Sequence, residues 1–133
     1  MRALPGVHET LAALRQRGIE YCVASSSTPP KLEAALKLVG LWEEFAPNVF
    51  STAQVAHGKP APDVFLFAAR QMRTAILECV VVEDSVPGVR AAAPRVCGRW
   101  ATSARRTTGR TSASACWTKA RSRSSATCSA CRR

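Results

Sequence analysis

The chain has 133 residues, and at ~100–200 residues per domain this length allows one domain and not two. The net charge of +10 is uneven, because residues 1–90 carry equal numbers of acidic and basic side chains, whereas residues 91–133 carry only basic ones. The sequence therefore excludes a uniformly basic domain, and without an apolar run of about 18 residues it also excludes a transmembrane helix.

The patterns at the start of the chain alternate between helix and strand. Apolar residues at helical spacing between Gly6 and Gly18 predict a first helix, and the short apolar run at 21–24 predicts a buried strand. A second helix is expected to begin at the two prolines 29–30, which the first turn of a helix tolerates, and to end at Gly40.

The same alternation continues to residue 93. Residues 49–50 predict a strand, residues 63–72 a helix, residues 79–82 the most apolar strand, and residues 86–93 a further helix. Strands that alternate with helices indicate parallel pairing with helical crossovers, so the predicted fold class is α/β.

Residues 91–133 differ in kind from the rest of the chain. They contain no Leu, Ile, Phe, Met, Tyr, Asp, Glu, Asn, Gln or His, and consist largely of Ala, Arg, Ser and Thr. So little apolar bulk cannot offset an ordering entropy of ~1–2 kcal/mol per residue, which predicts disorder or helix only in places. The abrupt change is also typical of translation in a shifted reading frame. We therefore divide the chain into a core, 1–93, and a basic tail, 94–133.

Three segments place polar groups at or beside the ends of the predicted strands. Ser25 and Ser26 follow a strand at a helix start, where a hydroxyl and backbone N–H groups can hold a phosphate. Lys59 lies on a proline-flanked loop, from which its ammonium could neutralise phosphoryl charge. Glu83 and Asp84 end the most apolar strand and offer the oxygen ligands that Mg²⁺ prefers. Because parallel strands share one ligand-binding edge, we expect these groups to converge.

These segments also carry a family resemblance. The stretches VASSS, GKPAPDVFLFAA and VVVEDSVPGVRAA stand in an order and at a spacing that resemble the haloacid dehalogenase superfamily, in its phosphoglucomutase-like and sugar-phosphate phosphatase branch. The resemblance covers residues 4–93. It implies a three-layer, Rossmann-like core with a parallel sheet, and a Mg²⁺-dependent phosphatase or mutase that acts on a small phosphorylated metabolite, with a sugar phosphate as the expected substrate.

The resemblance also implies a role for each polar group. Ser25 would hydrogen-bond the transferring phosphoryl group with help from the Ser26 backbone, and Lys59 would steady the nucleophile and the phosphoryl charge. Glu83 and Asp84 would hold Mg²⁺. Ser85 would support these two carboxylates without binding the metal itself.

One departure from the family pattern limits the expected activity. The family begins with a strand that carries Asp-x-Asp, the nucleophile and the general acid/base, whereas the aspartates of this chain are Asp63 and Asp84. We expect the first, central strand of the sheet and the helical cap of this family to be missing with it. We therefore expect little or no phosphatase activity, and two apolar strand edges left open to aggregation or to another chain.

Other interpretations of the same residues stay open. Taken singly, the serines are typical of a helix cap, the carboxylates of a solvated helix start, and Lys59 of a surface lysine. His57 is expected to be an exposed loop histidine. A competing function class is a non-catalytic binding module whose basic tail binds polyanions non-specifically, with strong salt dependence and no specific nucleic-acid or membrane contact. A third class is a pseudoenzyme that acts as a partner domain.

The remaining expectation concerns the compartment. The N-terminal residues lack the long apolar core of a secretory signal. Of the six cysteines, Cys22 and Cys79 fall inside apolar strand-like runs and the other four fall in the tail. This distribution favours reduced thiols and a cytoplasmic location over a disulfide scaffold.

Overall fold

The computed structural model describes residues 3–92, 99–102 and 113–118. The helices and strands, in chain order, are α1 (Val7–Gln16), β1 (Tyr21–Ser25), α2 (Pro29–Leu38), α3 (Trp42–Phe45), β2 (Val49–Ser51), α4 (Asp63–Gln71), β3 (Cys79–Glu83), α5 (Val86–Ala91), β4 (Arg99–Thr102) and β5 (Ala113–Thr118). None of the helices in these residues is long and apolar enough to cross a bilayer.

Up to residue 92 the elements follow the predicted pattern. Glycines in the left-handed region mark the helix boundaries, with φ of 85° at Gly6, 64° at Gly18 and 69° at Gly40, a conformation that costs glycine little. The single turn of α3 was not predicted, because four residues are too few to show a helical period.

The five strands form one sheet in the order β2-β1-β5-β3-β4. β1 pairs with β2 in parallel, and β3 pairs with β4 in parallel. β1 and β3 both end in the polar residues of the predicted site, so the carboxyl end of the sheet carries those groups, as the fold class requires.

Helices cover both faces of the sheet and give three layers. On one face, α4 and α5 supply Val64, Phe65 and Ala91 to a core that includes Cys22 and Val81. On the other face lies a second cluster built on α1, α2 and α3: Leu11, Val23, Leu32, Leu36, Leu41 and Phe45. The side chains of Cys22 and Cys79 are buried in the first of these cores. The predicted α/β core is confirmed.

The centre of the sheet differs from the prediction. β5 lies between β1 and β3 and pairs antiparallel with both, with Ala115 opposite Val23 on one side and Val82 on the other. The two edges that we expected to be open are therefore paired, because unpaired backbone N–H and C=O groups on two neighbouring edges favour any segment that can bridge them.

The tail therefore contains regular structure that its composition did not predict. Residues 113–118 carry no charge, no proline and no glycine, and their six residues suffice to span the gap. Residues 99–102 form a second strand beside β3. The expectation of disorder is wrong for these two stretches, and for the remainder of 94–133 it lies outside the described residues.

Candidate functional site

Lys59 joins the two halves of the sheet at its carboxyl edge. Its Nζ donates to the backbone oxygen of Ala24 in β1 at 3.2 Å and to Oε2 of Glu83 in β3 at 2.8 Å. The ammonium also lies 4.9 Å from the centre of the Phe65 ring, within range of a cation–π contact. The Lys59 and Glu83 side chains are only 3% and 1% exposed, so the surface-lysine interpretation is wrong.

The Glu83 carboxylate organises the loop that follows β3. Its Oε1 accepts from the backbone N–H groups of Asp84 at 3.2 Å and Ser85 at 3.0 Å, and from the Ser85 hydroxyl at 2.8 Å. The Ser85 hydroxyl in turn accepts from the N–H of Gly88, which caps α5. Glu83 is thus held from both sides, with Lys59 on one oxygen and the loop on the other.

Gly88 makes this burial of a carboxylate possible. A Cβ added at Gly88 would overlap the carboxyl group of Glu83, because α5 passes directly over that side chain. Only a residue without a side chain lets the helix and the carboxylate approach so closely. The position was not among the predicted site residues.

Ser25 lies at the end of β1, where it is 1% exposed. Its Oγ accepts from the backbone N–H of Ser27 at 3.2 Å, which folds the chain after the strand into a tight turn. Ser26, at the tip of this turn, is exposed. The serine turn, residues 25–28, stands at the same edge of the sheet as Lys59, because the lysine binds the carbonyl that precedes Ser25.

The N-terminus of α2 contributes less to anion binding than the sequence suggested. Pro29 and Pro30 occupy its first two positions and have no N–H to donate. Thr28 precedes them without a capping hydrogen bond from its side chain. Backbone donors for a phosphate would therefore come mainly from the serine turn.

Asp84 is the exposed carboxylate of the pair. Partial burial and, next, the negative charge of Glu83 raise the pKa of Asp84 above its usual value. A cation beside it would relieve both penalties, because it favours the ionised form.

His57 and the open groove elsewhere on the molecule lie outside this arrangement. The His57 ring and backbone both bond the Asp63 carboxylate, at 3.0 and 3.1 Å, and the side chain is exposed, as predicted. A groove of about 350 Å³ near α1 and α2 is lined by residues 3–6, His8, Glu9, Leu38 and Val39, none of which is a predicted site residue.

Comparison with known proteins agrees with this geometry. Residues 2–94 match the family model described as haloacid dehalogenase-like hydrolase. The chain belongs to the haloacid dehalogenase-like hydrolases. The family expected from the three sequence stretches is therefore confirmed.

Two curated relatives and one solved structure illustrate the likeness. Hexitol phosphatase A of Escherichia coli (strain K12) is 39% identical over 107 residues, which cover 80% of this chain and 48% of the relative. Beta-phosphoglucomutase of Bacillus subtilis (strain 168) is 35% identical over 66% of this chain and 38% of the relative. A HAD family hydrolase of Deinococcus radiodurans R1, solved with bound phosphate and sodium, is 36% identical with a TM-score of 0.69 and covers 74% of this chain and 44% of that one. The chain spans less than half the length of each.

Within this haloacid dehalogenase-like core, the described residues fit Mg²⁺ only if water and substrate complete its coordination. Among the described residues, no group of three or more His, Cys, Asp or Glu side chains could hold a metal ion. Mg²⁺ commonly takes one or two carboxylates and completes its coordination with water and substrate phosphate. Asp84 meets that requirement, and a ligand role for Glu83 stays a prediction, because both of its oxygens already accept hydrogen bonds.

Proposed function

We propose that this chain binds the phosphoryl group of a small phosphorylated metabolite, together with Mg²⁺, at the carboxyl edge of its sheet. The observation that carries the proposal is the position of the Lys59 ammonium, which bonds both the end of β1 and the Glu83 carboxylate at the end of β3. The Lys59 ammonium, fixed between the serine turn and the Glu83 and Asp84 carboxylates, could stabilise the negative charge of a phosphoryl group that binds together with Mg²⁺.

The proposed phosphate contacts come from the serine turn and from Lys59. The hydroxyl of Ser25 and the backbone of Ser26 would donate to phosphoryl oxygens. The Lys59 ammonium would stabilise their charge, and its two bonds to the protein fix its position in advance. Because the site is largely buried around this ammonium, the attraction is stronger than it would be in water.

The proposed metal contact comes from Asp84, and Glu83 supports Asp84 through the loop that both residues share. The Asp84 carboxylate would hold Mg²⁺, which would supply positive charge beside the phosphoryl group. Glu83 would keep Asp84 in place through the loop that it holds, and Ser85 would keep Glu83 in place.

A sugar phosphate is the first candidate ligand. Two relatives are named hexitol phosphatase A and beta-phosphoglucomutase, which supports this class without choosing between a phosphatase and a mutase. The buried thiols of Cys22 and Cys79 favour the reducing cytoplasm as the compartment.

We further propose that the chain as given binds this ligand without turning it over. In the family that this chain resembles, covalent phosphoryl transfer uses an aspartate as the nucleophile. The two aspartates of the chain have other roles in this proposal: Asp63 accepts a hydrogen bond from the His57 backbone at the start of α4, and Asp84 would hold the metal, which supports the proposed inactivity.

Thermal unfolding with added ligands tests the proposal. A ligand that binds only the folded chain raises its Tm, so inorganic phosphate with Mg²⁺ should raise Tm more than either alone. Asp84→Asn should abolish the Mg²⁺ contribution and Ser25→Ala should weaken the phosphate contribution. An unchanged Tm in the wild-type chain would contradict the binding proposal. Mg²⁺-dependent phosphate release from sugar phosphates, lost in Lys59→Ala, would contradict the proposed inactivity.

A further inference from the structure

Ser51 is a buried polar residue that stands beside Ser25 but is not assigned to the site. The two residues are register partners at the ends of the parallel strands β2 and β1, and each is only 1% exposed. A buried hydroxyl must find hydrogen-bond partners, and the identity of those partners indicates its role.

The hydroxyl of Ser51 binds the serine turn. Its Oγ donates to the backbone oxygen of Ser27 at 2.6 Å and accepts from the N–H of Ala53 at 3.1 Å. The backbone N–H of Ser51 donates to Oε1 of Gln54 at 2.8 Å, which closes a capping box. The Ser51 side chain is therefore fixed in one orientation, with its proton directed at the turn.

Ser27 passes this constraint to Ser25. The carbonyl of Ser27 accepts from Ser51, and the N–H of Ser27 donates to Oγ of Ser25. The Ser25 Oγ accepts this bond, so the position of the Ser27 backbone influences the orientation of the Ser25 hydroxyl. Two hydrogen bonds thus connect the Ser51 hydroxyl to the orientation of the Ser25 hydroxyl.

We propose that Ser51 is a positioning residue of the phosphate site, which sets the geometry of the serine turn through the Ser27 carbonyl. The inference rests on the proposed function, since it assigns a role within the same site. Ser51 touches no phosphate itself. Its effect on binding comes from holding the Ser25 hydroxyl and the turn backbone where a phosphoryl group needs them.

The neighbouring Thr52 offers a matched control. Its Oγ1 also donates to the serine turn, to the backbone oxygen of Ser26, but at 3.4 Å and from an exposed position. A long, solvent-exposed bond adds little geometric constraint. Thr52→Val therefore removes a hydroxyl that reaches the same turn without removing the buried anchor.

The test is the affinity of the full chain for inorganic phosphate, measured by isothermal titration at a fixed interval below the Tm of each variant. Ser51→Ala should weaken binding about tenfold, equivalent to ~1.4 kcal/mol, whereas Thr52→Val should change it less than about twofold. Ser51→Thr keeps the hydroxyl on extended backbone that tolerates branching, and it should restore the affinity. In ¹H–¹⁵N spectra, the phosphate-induced shift of the Ser27 amide should shrink in Ser51→Ala and return in Ser51→Thr.

The outcomes separate the inference from the proposed function. If Ser25→Ala weakens phosphate binding but Ser51→Ala binds as the wild type does, the positioning role is wrong and the site stands. If Ser51→Ala and Ser51→Thr are equally weak, the hydroxyl is not the determinant and the inference is overturned. If the wild-type chain binds no phosphate, both proposals fail. Should Ser51→Ala not fold, Ser51→Cys, with its weaker donor, is expected to give an intermediate loss, and wild-type affinity in that variant would overturn the inference.

Discussion

The Lys59 ammonium lies 2.8 Å from the Glu83 carboxylate, and both side chains are almost completely buried. Removing two charges from water costs several kcal/mol per ion, and mutual attraction offsets this only when further hydrogen bonds satisfy both groups. Here the Ala24 carbonyl and the 84–85 loop supply those bonds. Each of the two buried charges is therefore stable in the folded protein only while its partner is present.

Breaking this ion pair from one side should destabilise the protein strongly. Lys59→Met leaves Glu83 buried without its cation, and the free energy of unfolding should fall by ~3–5 kcal/mol. The measurement is urea unfolding followed by circular dichroism. The double variant Lys59→Met with Glu83→Leu should recover much of the loss, because no unpaired charge remains. A double variant no more stable than Lys59→Met alone would contradict this account.

A surface pair provides the control. Lys37 and Glu33 are one helical turn apart in α2, at 2.7 Å, and both are exposed. Lys37→Met should therefore lower the free energy of unfolding by no more than about 0.5 kcal/mol. A comparable loss at Lys37 and at Lys59 would show that burial is not what makes the Lys59 pair important.

Gly88 should be the least replaceable glycine near the site. Alanine normally favours a helix over glycine by ~1 kcal/mol, but here its Cβ would overlap the Glu83 carboxyl, which four hydrogen bonds hold in place. Gly88→Ala is expected to lower the free energy of unfolding by ~1–3 kcal/mol, as overpacking does. Gly58→Ala is the control, since the nearest neighbour of its Cβ, in Thr52, is 3.9 Å away. Equal stability of the two variants would show that Glu83 moves aside.

The sequence predicted the convergence of the site because strand polarity is readable from the chain. Ser25 and Glu83 each end an apolar run that alternates with helices, and parallel strands place such ends on one edge. The burial of Lys59 was not predictable in the same way. It depends on how the loop folds across the sheet toward Glu83 and the Phe65 ring, a long-range contact without a local pattern.

Ser51 and the strand β5 were missed for different reasons. The capping pair Ser51 and Gln54 is visible at its S-x-x-Q spacing, but that pattern indicates only a turn, not its bond to Ser27. The tail was judged by the average composition of its many residues. Pairing in the sheet needs only the six uncharged residues 113–118. The average composition of the whole tail does not show that this short stretch can form a strand.

The stability of the protein should fall at alkaline pH through Tyr21. Burial and a hydrogen bond to Glu44 raise the pKa of Tyr21 from 10.0 to about 12. The folded chain therefore keeps a proton that the unfolded chain releases above pH 10.0, so this contribution is full below pH 10.0 and is lost as the pH rises through about 12.

Tyr21 is the single tyrosine of the chain, so its tyrosinate absorbance reports this titration directly. The absorbance midpoint should lie near pH 12 in the folded protein and near 10 in urea. In Tyr21→Phe, the free energy of unfolding should fall less steeply with pH between 10.0 and about 12 than it does in the wild type. A midpoint near 10 in the folded state would contradict the partly buried contact with Glu44.

The strand β5 should protect the centre of the sheet from aggregation. Its residue Ala115 lies opposite Val23 of β1 and Val82 of β3 at the centre of the sheet. A proline there would remove the N–H from one ladder, and its ring would distort the backbone that pairs with the other strand. Two edges would then be open at the middle of the sheet. Ala115→Pro should increase light scattering during refolding and speed amide exchange in β1 and β3, whereas Ala115→Ser, which keeps the N–H, should do neither. If the proline variant refolds without scattering and keeps slow exchange at Val23 and Val82, then β5 does not hold those two edges together.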